Sequence, residues 1–308
     1  MRGLELSRAF YEEYGKEMIK SEFAQFEDRI AIGLVGHGSE CFGFDDELSM
    51  DHDFEPSFCI WLTDDDEKEF GFKLLRAYSR LPRSFLGVEM AKESLLGKGS
   101  KGVMTISEFY SRYTGRAGAP EGELDWLFIP SHYLAEATNG EVFCDPLGEF
   151  SRIRNEIKNG MPEDVRLKKI ASCALYMAQT GQYNFSRCLR HGERGASRLA
   201  LSDFVKNSIE IVFLLNREHM PYYKWALRSM RSLEILGSRA SLLEWIIDTS
   251  SIEEKKIVEG IELFSSEVIL ELQKQGLSTS PSDYLEAHAY QINDKIKNSK
   301  IRNMSVML

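Results

Sequence analysis

Asp51 and Asp53 stand two residues apart in the segment VGHGSECFGFDDELSMDHDFEPSFCIWL (35–62), and Gly38-Ser39 precedes them at the end of an apolar run. In an extended chain alternate side chains share a face. Both carboxylates are therefore expected on one side of a strand that opens near them. Such a pair suits a hard divalent cation, Mg2+ first and Mn2+ as the alternative. Gly38 lets the backbone approach a phosphate, and the N–H groups there, with the Ser39 hydroxyl, can hold phosphate oxygens. Nucleotidyl transfer needs positioning, in-line geometry and charge neutralisation more than covalent help. A glycine-serine turn alone is common, and an Asp-x-Asp alone is usually a solvated loop; the joint spacing is what favours nucleotide chemistry. Asp45, Asp46 and Glu47 between them read as a capping or solvated acidic turn. His52 falls on the opposite side of the strand and reads as structural, and His37 divides evenly between phosphate contact and plain packing or exposure.

The elements that must position these groups follow from periodicity. Residues 4–27 have helical spacing. IAIGLVG (30–36) is short, apolar and β-branched, a buried strand running into GHGS. DFEPSFCIWL (53–62) reads as the second strand, irregular at Pro56. DDDEKEFGFKLLRAYSRL starts with acids suited to a helix N-terminus. Further strands are expected around Val103–Ile106 and over EVFCD (141–145), with a Gly/Pro loop at 115–123. The first half is thus a mixed α/β layer. Beyond about residue 147 helical pattern dominates, over 147–158, 163–190, 198–217, 221–237, 240–248, 252–275 and 281–298. The expected fold class is α+β (mixed α/β), with one domain over 1–150 followed by an all-α helical bundle over 151–308.

Composition narrows the partners. The 308 residues carry a net charge of -10 and a pI near 5.3. That disfavours tight, sequence-independent nucleic-acid binding, which needs clustered Lys and Arg. Five scattered cysteines show no CxxC pair, so neither a zinc site nor a disulfide framework is expected. The charged N-terminus lacks the apolar stretch of a signal peptide, and no apolar run is long enough to span a bilayer. A cytoplasmic location and no membrane partner are the expectations.

The string Gly38-Ser39, spacer, Asp51-His52-Asp53 resembles the signature of the DNA-polymerase-beta-like nucleotidyltransferase superfamily, to which kanamycin and lincosamide nucleotidyltransferases belong. The longer string GSECFGFDDELSMDHDF is more similar to a bacterial family known only as a domain of unknown function within it. GEVFCDPLGEF (140–150), LKKIASCALYMAQTGQYNFSRCL (167–189) and FLLNREHMPYYKWALRSM (213–230) add to the resemblance, which runs through most of 30–235. It implies a nucleotidyltransferase domain and a helical domain like that of the kanamycin enzyme. It also implies an NTP donor, ATP favoured, and an unidentified acceptor, small molecule or protein. Two departures stand out: His52 replaces an apolar residue, and the strand VMTI lacks the third carboxylate common in the superfamily. Glu108, Glu123, Asp125 and Asp145 are the alternatives, with Asp125 the choice for catalytic base beside Asp51 and Asp53.

In the helical half, spacing puts Gln179, Gln182 or Tyr183, Arg187 and Arg190 near one face. Gln182 and Arg187 are nucleotide-binding candidates there, with interhelical bonding the competing role. The resemblance makes Lys224, in PYYKW, a candidate for the nucleotide phosphates, while Tyr222, Tyr223 and Trp225 read as core or interface. Arg187 and His191 match the spacing of an RNase-like HEPN module, against which the flanking sequence and the acidic charge both argue. The expected activity is transfer of an NMP from an NTP with release of pyrophosphate. The alternative is a catalytically inactive nucleotide- or partner-binding module on the same fold.

Overall fold

The computed structural model describes residues 1–46, 55–89, 101–248 and 253–308. In chain order, helix α1 runs through Gly3–Phe10, Tyr11–Gly15 and Lys16–Glu22, its middle widened to π geometry. Strand β1 is Ala31–Leu34 and β2 is Cys59–Leu62. Helix α2 spans Asp64–Asp66, Glu67–Gly71 and Phe72–Tyr78. A hairpin of β3 (Ser84–Phe85) and β4 (Val88–Glu89) precedes β5 (Gly102–Thr105). Then come α3 (Ile106–Thr114), α4 (Glu123–Phe128), α5 (Ser131–Thr138), β6 (Glu141–Cys144) and α6 (Glu149–Asn159). The remainder is helical among the described residues. Helix α7 is Glu163–Met177, continued through Ala178–Phe185 and Ser186–Arg190; α8 is Arg194–Leu215 and α9 Tyr223–Met230. Then follow α10 (Ala240–Asp248), α11 (Glu254–Lys274), α12 (Leu285–Asp294) and α13 (Ser299–Arg302). The fold is mixed α+β.

The chain divides into two compact units, 1–121 with 133–160, and 122–132 with 161–308. The chain thus passes between units three times, at 121–122, 132–133 and 160–161, where the sequence suggested one passage near 150.

In the first unit the described strands form a sheet in the order β5-β2-β1-β6. β1 is antiparallel to β2 (Ile32 opposite Ile60) and to β6, while β2 and β5 run parallel (Ile60 opposite Val103). β2 is buried on both faces, which is why CIWL reads as a continuous apolar run. Ile60 and Leu62 join Phe10, Phe58, Phe70 and Leu74 in one core cluster. Trp61 points the other way, stacked on Phe150 at 3.9 Å and edge-on to Phe109. Burial of one such aromatic is worth about 1.5–3 kcal/mol, so these rings fix β2 between two helical layers.

Three sequence expectations change. The strand expected over 53–62 begins only at Cys59 among the described residues. Its pairing with β5 starts at Cys59 opposite Gly102, and Pro56 upstream has no N–H to give a ladder. The helix expected over 221–237 is Tyr223–Met230, closed by turns and a left-handed Leu236 (φ 58°). Tyr222 and Tyr223, expected in a core or interface, are 41% and 75% exposed.

Candidate functional site

β1 delivers the chain into a glycine turn. Gly36 and Gly38 have φ of 124° and 123°, a region L side chains rarely adopt. Ser39 opens the short 3-10 turn Glu40–Phe42, which ends in left-handed Gly43. The Ser39 carbonyl accepts from the N–H groups of Phe42 (3.1 Å) and Phe44 (2.9 Å), folding the segment back on itself. The Ser39 side chain caps nothing, and among the described residues its hydroxyl has no hydrogen-bond partner.

Two tiers of hydrogen bonds brace this turn from behind. Asn139, just past the end of α5, clamps Gly36: its Oδ1 accepts from the Gly36 N–H and its Nδ2 donates to the Gly36 carbonyl, both at 2.8 Å. The Gly140 N–H donates to the Cys41 carbonyl at 2.8 Å. Arg154 of α6 then holds the Asn139-Gly140 turn, its guanidinium donating to both carbonyls at 3.1 and 3.3 Å. Burial lowers the pKa of Arg154 from its ordinary value, the cost of placing a cation against these carbonyls.

The electrostatics beside Gly38 centre on a buried pair. Glu40 is 4% exposed, and its carboxylate lies against Gly38, where an added Cβ would stand 2.5 Å from Oε2. Lys101 Nζ is 3.0 Å from Glu40 Oε1 and 3.9 Å from Glu55 Oε1. Burial pushes the Lys101 pKa down, but the two carboxylates more than offset it, and the net shift is upward. Glu40 is thus paired with a lysine directly beside the Gly38 backbone.

Asp51 and Asp53, the expected metal ligands, lie outside the described residues, as do Glu47 and His52. Gly38 and Ser39 stand in the turn just described. His37 is exposed, with Nδ1 3.5 Å from Glu136 Oε1. Asp45 secures the start of α1, where its Oδ2 accepts from the Gly3 N–H at 2.7 Å. The alternatives for the third carboxylate are similarly engaged. Glu108 completes a capping box with Thr105, the two reciprocal bonds measuring 3.1 and 3.0 Å. Asp145 accepts from the Ser151 N–H at 2.7 Å in the first turn of α6, and Glu123 accepts from Asn298. Asp125 lies half-buried in the first turn of α4, in the second unit, on a helix and not on a strand.

Also in the second unit, Gln182 is committed to helix packing. Its amide donates to Glu262 Oε2 (2.8 Å) and to the Asp283 carbonyl (3.1 Å), and its Oε1 accepts from the Leu285 N–H (3.0 Å). The competing interhelical role is the one its contacts fill. Gln182 stands in a π segment over Ala178–Phe185, within the stretch where regular helical spacing was expected. Arg187 is exposed and bonds the Tyr183 hydroxyl at 3.1 Å; Lys224 is exposed, its Nζ 4.9 Å from the Trp225 ring centroid. Gln182, Arg187 and Lys224 make no hydrogen bond or ion pair with one another among the described residues.

The residues missed in the sequence are Asn139, Lys101, Glu40 and Arg154. Asn139-Gly140 did carry a turn signal before β6, but a clamp between residues 103 positions apart leaves no local trace. No helix among the described residues is long and apolar enough to cross a membrane.

Comparison with known proteins gives one match. A family model described as a domain of unknown function, DUF4037, matches residues 126–226. No curated protein and no solved structure matches the chain. Over about a third of its length, from α4 to the first turn of α9, the chain is similar to that family.

Proposed function

We propose that the chain is a Mg2+-dependent nucleotidyltransferase that moves a nucleoside monophosphate, AMP first, from an NTP to a hydroxyl of a small molecule or protein. The observation that carries this reading is the Gly36–Ser39 turn. It closes a buried strand, is braced through Asn139, and presents a serine hydroxyl with no partner among the described residues. The sheet-bearing unit is, in this reading, the nucleotidyltransferase domain, and the second unit a helical bundle of the kanamycin-enzyme kind.

Among the described residues no group of three or more His, Cys, Asp or Glu is arranged to hold a metal, and Glu40 is taken by Lys101. In this reading the cation is held by Asp51 and Asp53, whose paired hard oxygen donors suit Mg2+. When bound it would neutralise charge on the phosphates. In this reading the Gly38 backbone and the Ser39 hydroxyl hold phosphate oxygens. An acceptor hydroxyl attacks the α-phosphorus and pyrophosphate leaves.

Titration of ATP with Mg2+ and with EDTA tests this. Binding is expected to need the cation and to vanish in Asp51→Asn/Asp53→Asn. Equal affinity in EDTA refutes the metal assignment. A second reading, nucleotide binding without transfer, is favoured by one observation: β5 carries no carboxylate, and Glu108, Glu123 and Asp145 are engaged in structural bonds. Pyrophosphate release on incubation with ATP and a candidate acceptor excludes that reading.

A further inference from the structure

A cleft of about 610 Å3 opens within the second unit, in the size range of small-molecule sites. Two helices form its polar floor, each through one face. Lys169, Ser172, Cys173 and Tyr176 of α7 are spaced i, i+3, i+4, i+7, and so are Asp203, Lys206, Asn207 and Glu210 of α8. Phe128, Ile129, Pro130 and Met220 give the cleft an apolar part of its lining. Every lining residue except Leu308 falls inside the segment that matches the DUF4037 model.

Charge distinguishes this cleft from a packing defect. Lys169 and Glu210 are half-buried on facing helices, opposite in sign. Burial lowers the pKa of Lys169, and Glu210 only partly restores it. The Lys169 ammonium donates to the Ile129 carbonyl at 3.3 Å, which uses one of its three donors. Glu210 has no hydrogen-bond or ion-pair partner among the described residues. Other ion pairs in the chain close, as Glu163 does on Arg166 at 2.9 Å. Lys169 and Glu210 do not close into such a pair among the described residues, although both line the cleft.

We propose that the cleft binds a small zwitterion with an apolar body. The ligand's carboxylate faces Lys169, its ammonium faces Glu210, and its body lies on the Phe128–Pro130 wall. Each charged group then gains the partner it lacks, and the ligand's net charge of zero matches the balanced floor.

None of the residues lining the cleft is one proposed to hold the nucleotide or the metal, so the experiment contains neither. Phenylalanine, hydrocinnamate and phenethylamine share one apolar body and carry both charges, the anion alone and the cation alone. Ligand-observed NMR titration of the full chain should find phenylalanine bound at least about tenfold more tightly than either single-charge probe. Lys169→Met should bring phenylalanine down to the level of phenethylamine, and Glu210→Gln down to that of hydrocinnamate. Circular-dichroism melts confirm folding, and Lys158→Gln, exposed on α6 and outside the cleft lining, serves as a second variant that should preserve the ranking. Equal binding of the three probes, no binding by any, or a ranking unchanged by both floor variants overturns the proposal.

Discussion

Removing the Asn139 side chain tests the link between fold and site most directly. Its two 2.8 Å bonds satisfy both backbone groups of Gly36, a buried residue. In Asn139→Ala neither group has a replacement partner from the truncated side chain. A buried polar group left unmade costs about 1–3 kcal/mol. Water can reach part of this turn, since His37 beside it is exposed, so the lower half of the range applies to each group. The expected loss is about 2–4 kcal/mol. Asn139→Asp keeps an acceptor for the Gly36 N–H but sets a carboxylate oxygen against the Gly36 carbonyl, so it should recover little. Hydrogen exchange at the Gly36 amide reads the clamp locally. At about 1.4 kcal/mol per tenfold, its protection should fall about 30- to 700-fold, and the urea midpoint should fall with it. ATP affinity should weaken in parallel if the turn holds phosphate. An unchanged Gly36 protection factor in Asn139→Ala refutes the clamp, and unchanged ATP binding in a variant whose protection has collapsed refutes the turn as the phosphate site.

Gly38→Ala should cost at least about 2 kcal/mol, from an unfavourable positive φ and from displacement of Glu40, which is held by Lys101 and cannot swing away; a urea midpoint equal to that of the parent chain contradicts this. Lys101→Met should cost about 3–5 kcal/mol by leaving Glu40 buried without its cation, whereas Glu40→Gln/Lys101→Met should regain most of it. Because the folded pKa of Lys101 is raised, its contribution is whole below the unfolded value of about 10.4 and is lost as pH rises through the folded value. Tyr78, Tyr110 and Tyr113 act in the same direction, burial raising each phenol. Thermal melts should therefore drop above about pH 10, with phenolate absorbance appearing together with unfolding; phenolate formed fully before unfolding sinks the assignment.

The parts of the fold visible in the sequence are those set by local burial. IAIGLVG announced β1 and EVFCD announced β6 because their side chains have few polar alternatives, and the acids after Thr63 announced α2, whose N-cap bond from the Asp66 N–H to Thr63 Oγ1 measures 3.1 Å. What the sequence hid depends on contacts or on broken periodicity. The π segment over Ala178–Phe185 interrupts the regular spacing with which the face through Gln182 and Arg187 was drawn, though Arg187 still bonds Tyr183. Tyr222 and Tyr223 looked like core by composition, yet they flank the N-terminus of α9 in solvent, with Tyr222 contacting the His132 ring at 5.4 Å. Lys101 gave no sign that its partner was Glu40, because the pair closes across 61 residues of chain.

The candidates also separate by a criterion that residue type cannot supply, namely whether their polar atoms are already committed. Asp45, Glu108, Asp145 and Gln182 are all chemically able to bind a ligand, and each spends that ability on a helix end or a helix contact. Ser39 does not, among the described residues, even though bonds on neighbouring backbone fix its position. The same holds for Glu210, which is half-buried, uncommitted and opposite an incompletely satisfied Lys169. A folded chain leaves few such groups unsatisfied, since each costs stability. Where the surrounding scaffold is braced, as Asn139 and Arg154 brace the Gly36 turn, such a group keeps its position while its polar atoms stay available to a ligand.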